Sequence, residues 1–395
     1  MRSISQEEAA FWTGIREQFY LTPGRVFFNG GSVGPSARPT IEQVIDMLRT
    51  FESDPLHHQG HTLGPLVESS REKLATFVGT HPDRIAFVQN TTMGMNVPAQ
   101  GLDFERGSEV LMSNQEYPAV VNLWRYVAER RGLTIREVHL PTPPDNPEEI
   151  VEAYASGITS KTRVLVFSHV YYTTGMVTPI RALSHLAREH NAMAVIDGAH
   201  AVGMVPLNLD EVGCHFYASS CHKWLLAPKG VGMLYITEEL QNLVRPLIIG
   251  YNHQVSPKAS RYDMQGTRDQ THFVGLGAAI DFQLEIGWEA RIYPYCLGLA
   301  RYLKERTRGI EESRLRTPID PSMSGFITSF GIDGMDVGKI SGCLWNDYQI
   351  ETSCTNVDGV TGFRISTHFY NSYEDVDRFV GAVQEILSQI NPVLT

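Results

Sequence analysis

The sequence predicts an α/β protein, with a mostly parallel sheet between helices in a large domain and a smaller α+β domain after it. Two observations carry this. From about Val26 to Ile236, short apolar runs alternate with amphipathic stretches, the signature of strand–helix units feeding one sheet. After about Gly250 the texture changes to a long helical stretch, a Pro-bearing break and a final group of strands and a helix. The division expected is a large domain over 21–260, with 1–20 and 261–395 forming the small one.

The runs Arg84–Val88, Glu109–Met112, Arg163–Phe167, Met193–Ile196 and Val231–Ile236 read as buried strands, being short and rich in Val, Ile, Leu, Met and Phe. Between them, Ala119–Arg130 and Ile180–Glu189 carry apolar residues at helical spacing. One long helix is expected from Phe273 through Lys304. The polar segment Thr317-Pro318-Ile319-Asp320-Pro321 then breaks the pattern, and Tyr373–Ile390 reads as a closing helix.

Composition narrows the function. The chain has 395 residues, a formal net charge of −11, 42% hydrophobic residues and 19% charged ones, the make-up of a globular enzyme. An acidic total without a Lys/Arg tract argues against nucleic acid or an anionic membrane as partner. Five cysteines without paired short spacing point to a reducing compartment, and the start of the chain lacks the apolar run of a signal peptide. A cytoplasmic protein is expected.

Open α/β sheets bind ligands beyond the carboxyl ends of their strands. Met193–Ile196 runs directly into Asp197-Gly198-Ala199-His200-Ala201, and Lys223 follows in Ser219-Ser220-Cys221-His222-Lys223-Trp224. An Asp ending one strand and a Lys just beyond the next suggest pyridoxal 5'-phosphate. The Lys would form the Schiff base and the Asp would keep the pyridine nitrogen protonated. Gln89-Asn90-Thr91-Thr92-Met93-Gly94 follows another strand at an apparent helix start, where backbone N–H groups and Thr hydroxyls suit a phosphate. Tyr117 follows Glu109–Met112 and offers a ring to stack on a planar cofactor. Arg364, in Gly362-Phe363-Arg364-Ile365-Ser366, offers a fork for a substrate carboxylate.

The segments Val195-Ile196-Asp197-Gly198-Ala199-His200-Ala201 and Phe216-Tyr217-Ala218-Ser219-Ser220-Cys221-His222-Lys223-Trp224-Leu225-Leu226-Ala227-Pro228 resemble class V aminotransferase-fold enzymes. Within that class the chain is most similar to the isopenicillin N epimerase family and related cysteine-conjugate lyases. Phe28-Asn29-Gly30-Gly31-Ser32, Ser168-His169-Val170, Thr174-Gly175, Gly266-Thr267-Arg268-Asp269 and Arg364-Ile365-Ser366 fall in the family's order. The resemblance implies the fold of type I pyridoxal-phosphate enzymes, and it implies a role for each matching residue. Lys223 would hold the cofactor covalently and Asp197 would pair with its ring nitrogen. Ala199 would lie under the ring and Tyr117 over it, with His200 near the ring hydroxyl. Thr92, Met93, Gly94, Ser220 and His222 would grip the phosphate, and Thr267 would reach the phosphate of a neighbouring subunit in a homodimer. Asn29 and Arg364 would hold the substrate carboxylate.

Other patterns carry less. Gly30-Gly31-Ser32-Val33-Gly34 matches a hydrolase nucleophile elbow, yet Pro35 and Pro39 crowd its exit. His57-His58-Gln59-Gly60-His61 lacks the spacing and the accompanying ligands of a zinc site, so no metal is expected. Gly334-Met335-Asp336-Val337-Gly338-Lys339-Ile340 lacks the spacing of a P-loop. Lys229, in a Pro-Lys-Gly turn, is a weaker candidate than Lys223 for the covalent role.

One departure bears on the reaction. Where many cysteine desulfurases carry two asparagines, this chain has Tyr171-Tyr172, which could contact substrate or serve as a second acid. Cys354 lacks the Arg-x-Gly context of a persulfide-forming cysteine, so Cys354 and Cys343 read as structural thiols. The expected chemistry is α-proton removal from an amino acid by Lys223. Expulsion of a β-thiolate from a cysteine-derived conjugate is the preferred outcome, with epimerisation or transamination as alternatives.

Overall fold

A computed structural model describes residues 5–250, 258–263 and 266–390. The strands described are, in chain order, β1 (Val26–Phe27), β2 (Ile85–Val88), β3 (Glu109–Ser113), β4 (Thr134–Val138), β5 (Thr162–Ser168), β6 (Met193–Asp197), β7 (Phe216–Ser219), β8 (Gly232–Ile236), β9 (Ser313–Leu315), β10 (Ile327–Ile332), β11 (Ile350–Glu351), β12 (Ser353–Val357) and β13 (Val360–Ser366). Seven of them form the main sheet in the order β2-β8-β7-β6-β5-β3-β4. Strands β3 to β7 run parallel, and β8 is antiparallel to both of its neighbours.

Each of the five strands read from sequence is present, with ends within one residue of expectation. Alternation of side chains gives the sheet two apolar faces. Leu111, Leu165, Phe167, Ile196, Tyr217 and Met233 enter one core, while Val110, Met112, Val164, Val166, Val195 and Leu234 enter the other. Helices Pro118–Arg131 and Ile180–Glu189 form where the spacing predicts. Strand β4 lacks an apolar run because it is an edge strand, with Thr134, Arg136 and Glu137 exposed.

The helix expected from Phe273 through Lys304 is two helices. Thr271–Ile286 ends at Gly287, whose φ of +98° sits in the left-handed region, and Tyr293–Thr307 begins after one wide turn. The second sheet is antiparallel, in the order β12-β13-β10-β9, over a core of Phe330, Phe363, Ile365, Leu344, Phe379 and Val383.

Packing crosses the division expected between domains. Strand β1 pairs in parallel with β11, and Phe28 joins the core of the second sheet. Helix Thr271–Ile286 packs instead on Arg38–Ser53 and Gly64–Phe77. The first crossing matters for the site: the Ser366 N–H donates to the Phe28 carbonyl at 2.8 Å, which sets the loop from Asn29 to Gly34 beside β13. No helix among the described residues is long and apolar enough to cross a membrane.

Candidate active site

The carboxyl ends of β2, β3, β5, β6 and β7 converge, and each delivers polar side chains to one region. Strand β6 ends on Asp197, paired in register with Ser168 of β5 and Ala218 of β7. Its carboxylate is 4% exposed, and Oδ1 accepts from the Ala199 N–H at 2.9 Å. Oδ2 has no hydrogen-bond donor among the described residues. Burial raises the pKa of Asp197, against the pull of the Ala199 N–H and of Lys223.

Lys223 lies four residues past β7. Its Nζ is 3.2 Å from His200 Nε2. Burial lowers the amine to about 8, and nearby Arg364 pushes the same way while Asp197 opposes. His200 stays neutral, with burial first and then Lys223 and Arg364 holding its pKa well below the usual histidine value.

The helix Thr91–Gly101 begins just past β2, with Asn90 as its cap accepting from the Met93 N–H at 3.0 Å. The Thr91 N–H donates to Ser220 Oγ at 3.0 Å, and the two hydroxyls lie 2.8 Å apart. Thr92 is exposed at this helix start and Gly94 is buried in its first turn. Ser220 thus ties the helix start to the lysine loop. His222 is on that loop too, with Nδ1 at 3.3 Å from the Val231 carbonyl and its pKa lowered by burial to about 4.

Arg364 enters from β13 and is 5% exposed. Its Nη2 donates to Ser32 Oγ at 2.6 Å and to Asn29 Oδ1 at 3.3 Å, and its Nε is buried without a partner. Among the described residues it forms no ion pair with a carboxylate. Burial lowers its pKa to about 10, opposed only in part by Tyr172, Tyr117 and Cys354. Tyr117 and Tyr172 meet edge to face at 5.2 Å, and Tyr117 is 44% exposed.

Tyr171 is elsewhere. It is fully buried, its hydroxyl 3.0 Å from Glu116 Oε1 and 3.2 Å from the Tyr154 hydroxyl, so it presents no group to the pocket. Of the two tyrosines, Tyr172 alone lies beside Tyr117. Thr267 is exposed on the loop before helix Thr271–Ile286. The His57 and His61 rings lie 4.8 Å apart, tilted by 31°, and no group of three metal-ligating side chains occurs among the described residues.

Two residues went unassigned in the sequence. Glu116 is buried at the end of β3 and accepts from Ser113, Ser168 and Tyr171 at 2.8, 2.7 and 3.0 Å. Trp224 donates its indole N–H to His200 Nδ1 at 3.1 Å. The signals were there: a carboxylate one residue before Tyr117, and an aromatic next to the lysine.

The residues fit pyridoxal phosphate on three counts. Asp197 keeps a carboxylate oxygen without a donor among the described residues, burial lowers the Lys223 amine, and a helix start bearing hydroxyls follows β2. Fold and site together define a pyridoxal-phosphate-dependent enzyme of fold type I. The chain belongs to the aminotransferase class-V family, whose profile matches residues 32–379. It is 34% identical over 396 residues to isopenicillin N epimerase of Amycolatopsis lactamdurans, spanning 96% of this chain and 99% of that protein. It is 25% identical over 294 residues to hercynylcysteine sulfoxide lyase of Schizosaccharomyces pombe, spanning 72% of this chain and 75% of that one. Among solved structures, a C-DES mutant with glycine covalently linked to the PLP cofactor superposes with a TM-score of 0.86 at 21% identity, covering 94% of this chain and 99% of that chain.

Proposed function

We propose that this enzyme binds an amino acid through Arg364 and removes its α-proton with Lys223. The observation that carries the reading is the Arg364 guanidinium, buried and without an ion-pair partner among the described residues, on the same site as the Lys223 amine whose pKa its charge helps to lower. Bound at Lys223 and Asp197, with its phosphate at Thr92, Met93, Gly94, Ser220 and His222, pyridoxal phosphate supplies an electron sink that acidifies the α-hydrogen. Ala199 and Tyr117 would flank the ring, and His200 would stand at its hydroxyl.

The chain's own groups then have defined tasks. Asp197 would hold the ring nitrogen positive through its free oxygen. Arg364 and Asn29 fix the α-carboxylate, which aims the α-hydrogen rather than the carboxylate at Lys223. An amine near pKa 8 can take a proton at neutral pH and return it. His200 is no competing base, because Trp224 occupies its Nδ1. The outcome best supported is β-elimination from a cysteine-derived conjugate: Lys223 takes the α-proton, and the C–S bond breaks with its electron pair leaving on sulfur. That route needs no second acid. Epimerisation is the second reading, favoured by one observation: Tyr172, with its phenol held protonated by burial, lies beside Arg364 and is available as that acid.

Incubation with candidate amino acids in deuterium oxide separates the outcomes. Release of thiol and pyruvate supports elimination. Inverted substrate carrying α-deuterium, lost in Tyr172→Phe, supports epimerisation. A keto acid without thiol means transamination, and the absence of all these products together with no α-exchange in any substrate refutes the proposal. Arg364→Lys keeps the charge but loses the fork, so substrate affinity should fall about 10- to 100-fold. We also propose a two-fold dimer in which Thr267 completes the neighbour's phosphate site. Mixing Lys223→Ala and Thr267→Ala proteins should then restore activity in heterodimers, whereas a fully active monomer refutes it.

A further inference from the structure

Around His200 the donors and acceptors are almost fully determined. An indole N–H only donates. With Trp224 Nε1 at 3.1 Å, His200 Nδ1 must present a lone pair, so the neutral ring carries its proton on Nε2. That proton faces Lys223 Nζ at 3.2 Å. The contact is a hydrogen bond only if the amine offers a lone pair, because an ammonium would set N–H against N–H. Burial disfavours an imidazolium here, and the Arg364 guanidinium, the other cation facing the ring, disfavours it further.

Trp224 itself is immobilised. It is fully buried, its ring stacks on His368 at 5.6 Å and 12°, and its carbonyl accepts from His368 Nε2 at 3.0 Å and Gln283 Nε2 at 3.3 Å. The His368 tautomer is fixed in turn, since its Nδ1 accepts from the Phe369 N–H at 2.9 Å. Tyr370 stacks on the far face of this assembly, 5.1 Å from the His368 ring. Three rings and two backbone bonds therefore stand behind one indole N–H.

We propose that Trp224 is a positioning residue that locks His200 in the Nε2–H tautomer, so that His200 is a permanent donor that favours the free-base form of the Lys223 amine. The inference rests on the reading of Lys223 as the reactive amine, yet its test does not. The ring protonation is measured on full-length protein without cofactor, whatever the reaction proves to be.

Nitrogen-15 NMR of labelled histidine, with the His200 signals identified by their loss in His200→Asn, reads the tautomer directly. The pH dependence of Lys223 acetylation, followed by mass spectrometry, reads its free-base fraction. In the parent protein Nδ1 should be unprotonated and Nε2 protonated. Trp224→Phe keeps an aromatic ring but frees Nδ1, so the signals should move toward tautomer averaging. The Lys223 midpoint should rise by about one pH unit, because Nε2 can then accept from an ammonium. Should Trp224→Phe fold poorly, benzothienylalanine at position 224 preserves the shape and removes only the N–H, with the same expectation. A protonated Nδ1 in the parent overturns the proposal. So does a tautomer pattern and lysine midpoint unchanged in the folded variant.

Discussion

Glu116 is the most informative place to disturb this site without touching a group that meets substrate. Its carboxyl is buried, surrounded by Ser113, Ser168, Tyr154 and Tyr171, with no cation beside it. Burial raises its pKa from 4.5 to about 7; the Ser168, Ser113 and Tyr171 hydroxyls pull it down and Asp197 pushes it up. The sign of the linkage follows. A carboxyl with a raised native pKa favours folding fully below its unfolded value and loses that contribution as pH rises through its native value. The window here runs from about pH 4.5 to about 7. A shift of this size corresponds to roughly 3 kcal/mol at 1.36 kcal/mol per unit.

Glu116→Gln should remove the slope. An amide has the shape of the protonated acid, its oxygen can still accept from Ser113 and Tyr171, and its NH2 can donate to Ser168 Oγ, which turns its own hydrogen elsewhere. The variant should match the parent near pH 5 and exceed it near pH 8 by up to about 3 kcal/mol. Urea denaturation of both proteins across that range checks this, because other titrating groups cancel in the difference. A variant less stable than the parent at pH 8, or a difference that does not grow between pH 5 and 8, refutes the reasoning. Either result would mean that Glu116 is a charge the fold needs rather than one it suppresses.

Two further outcomes follow from packing. In Gly31→Ala the new Cβ would come within 2.7 Å of Ser366 Oγ, 3.4 Å of Trp224 and 3.5 Å of His200, so cofactor retention should fall along with about 1–3 kcal/mol of stability, read by absorbance after gel filtration and by urea melts. Cys214, Cys221 and Cys296 are buried with their thiols pushed up by burial, whereas Cys343 and Cys354 are half-buried; a thiol reagent at pH 8 should therefore modify no more than those two in the folded protein, and rapid labelling of Cys221 would contradict the placement.

What the sequence made legible was local. An apolar run marks a strand wherever both faces are covered, so β3, β5, β6 and β8 are readable and the exposed edge strand β4 is not. Lys223 and Asp197 are readable because each follows its strand within a few residues. The obscure parts are those fixed by distant partners. Tyr171 looks like a pocket residue beside Tyr172, and only its bond to Glu116, 55 positions earlier, turns it into the core. Trp224 is only an aromatic next to the lysine in the sequence, and its setting becomes visible only when His368, 144 positions later, is stacked on it. The pairing of β1 with β11 is invisible for the same reason, since two residues carry no register signal of their own.

The charges of the finished site constrain its ligand more tightly than any single contact. Arg364 is a cation without a counterion, Lys223 is a cation only below about pH 8, and His200 is neutral. Against them stands one free carboxylate oxygen, on Asp197. The helix start at Thr91 and Thr92 adds the positive end of a dipole. Such a pocket is short of negative charge at two separate places, the helix start beside Ser220 and the guanidinium beside Ser32. Lys223 is tied to both, by three residues of chain to Ser220 and by electrostatic coupling to Arg364. The complement is an assembly with an anion at each end and its reactive carbon at the amine. A phosphorylated cofactor joined to an amino acid has that charge pattern, while a neutral substrate or one with a single anion leaves a buried cation unpaired.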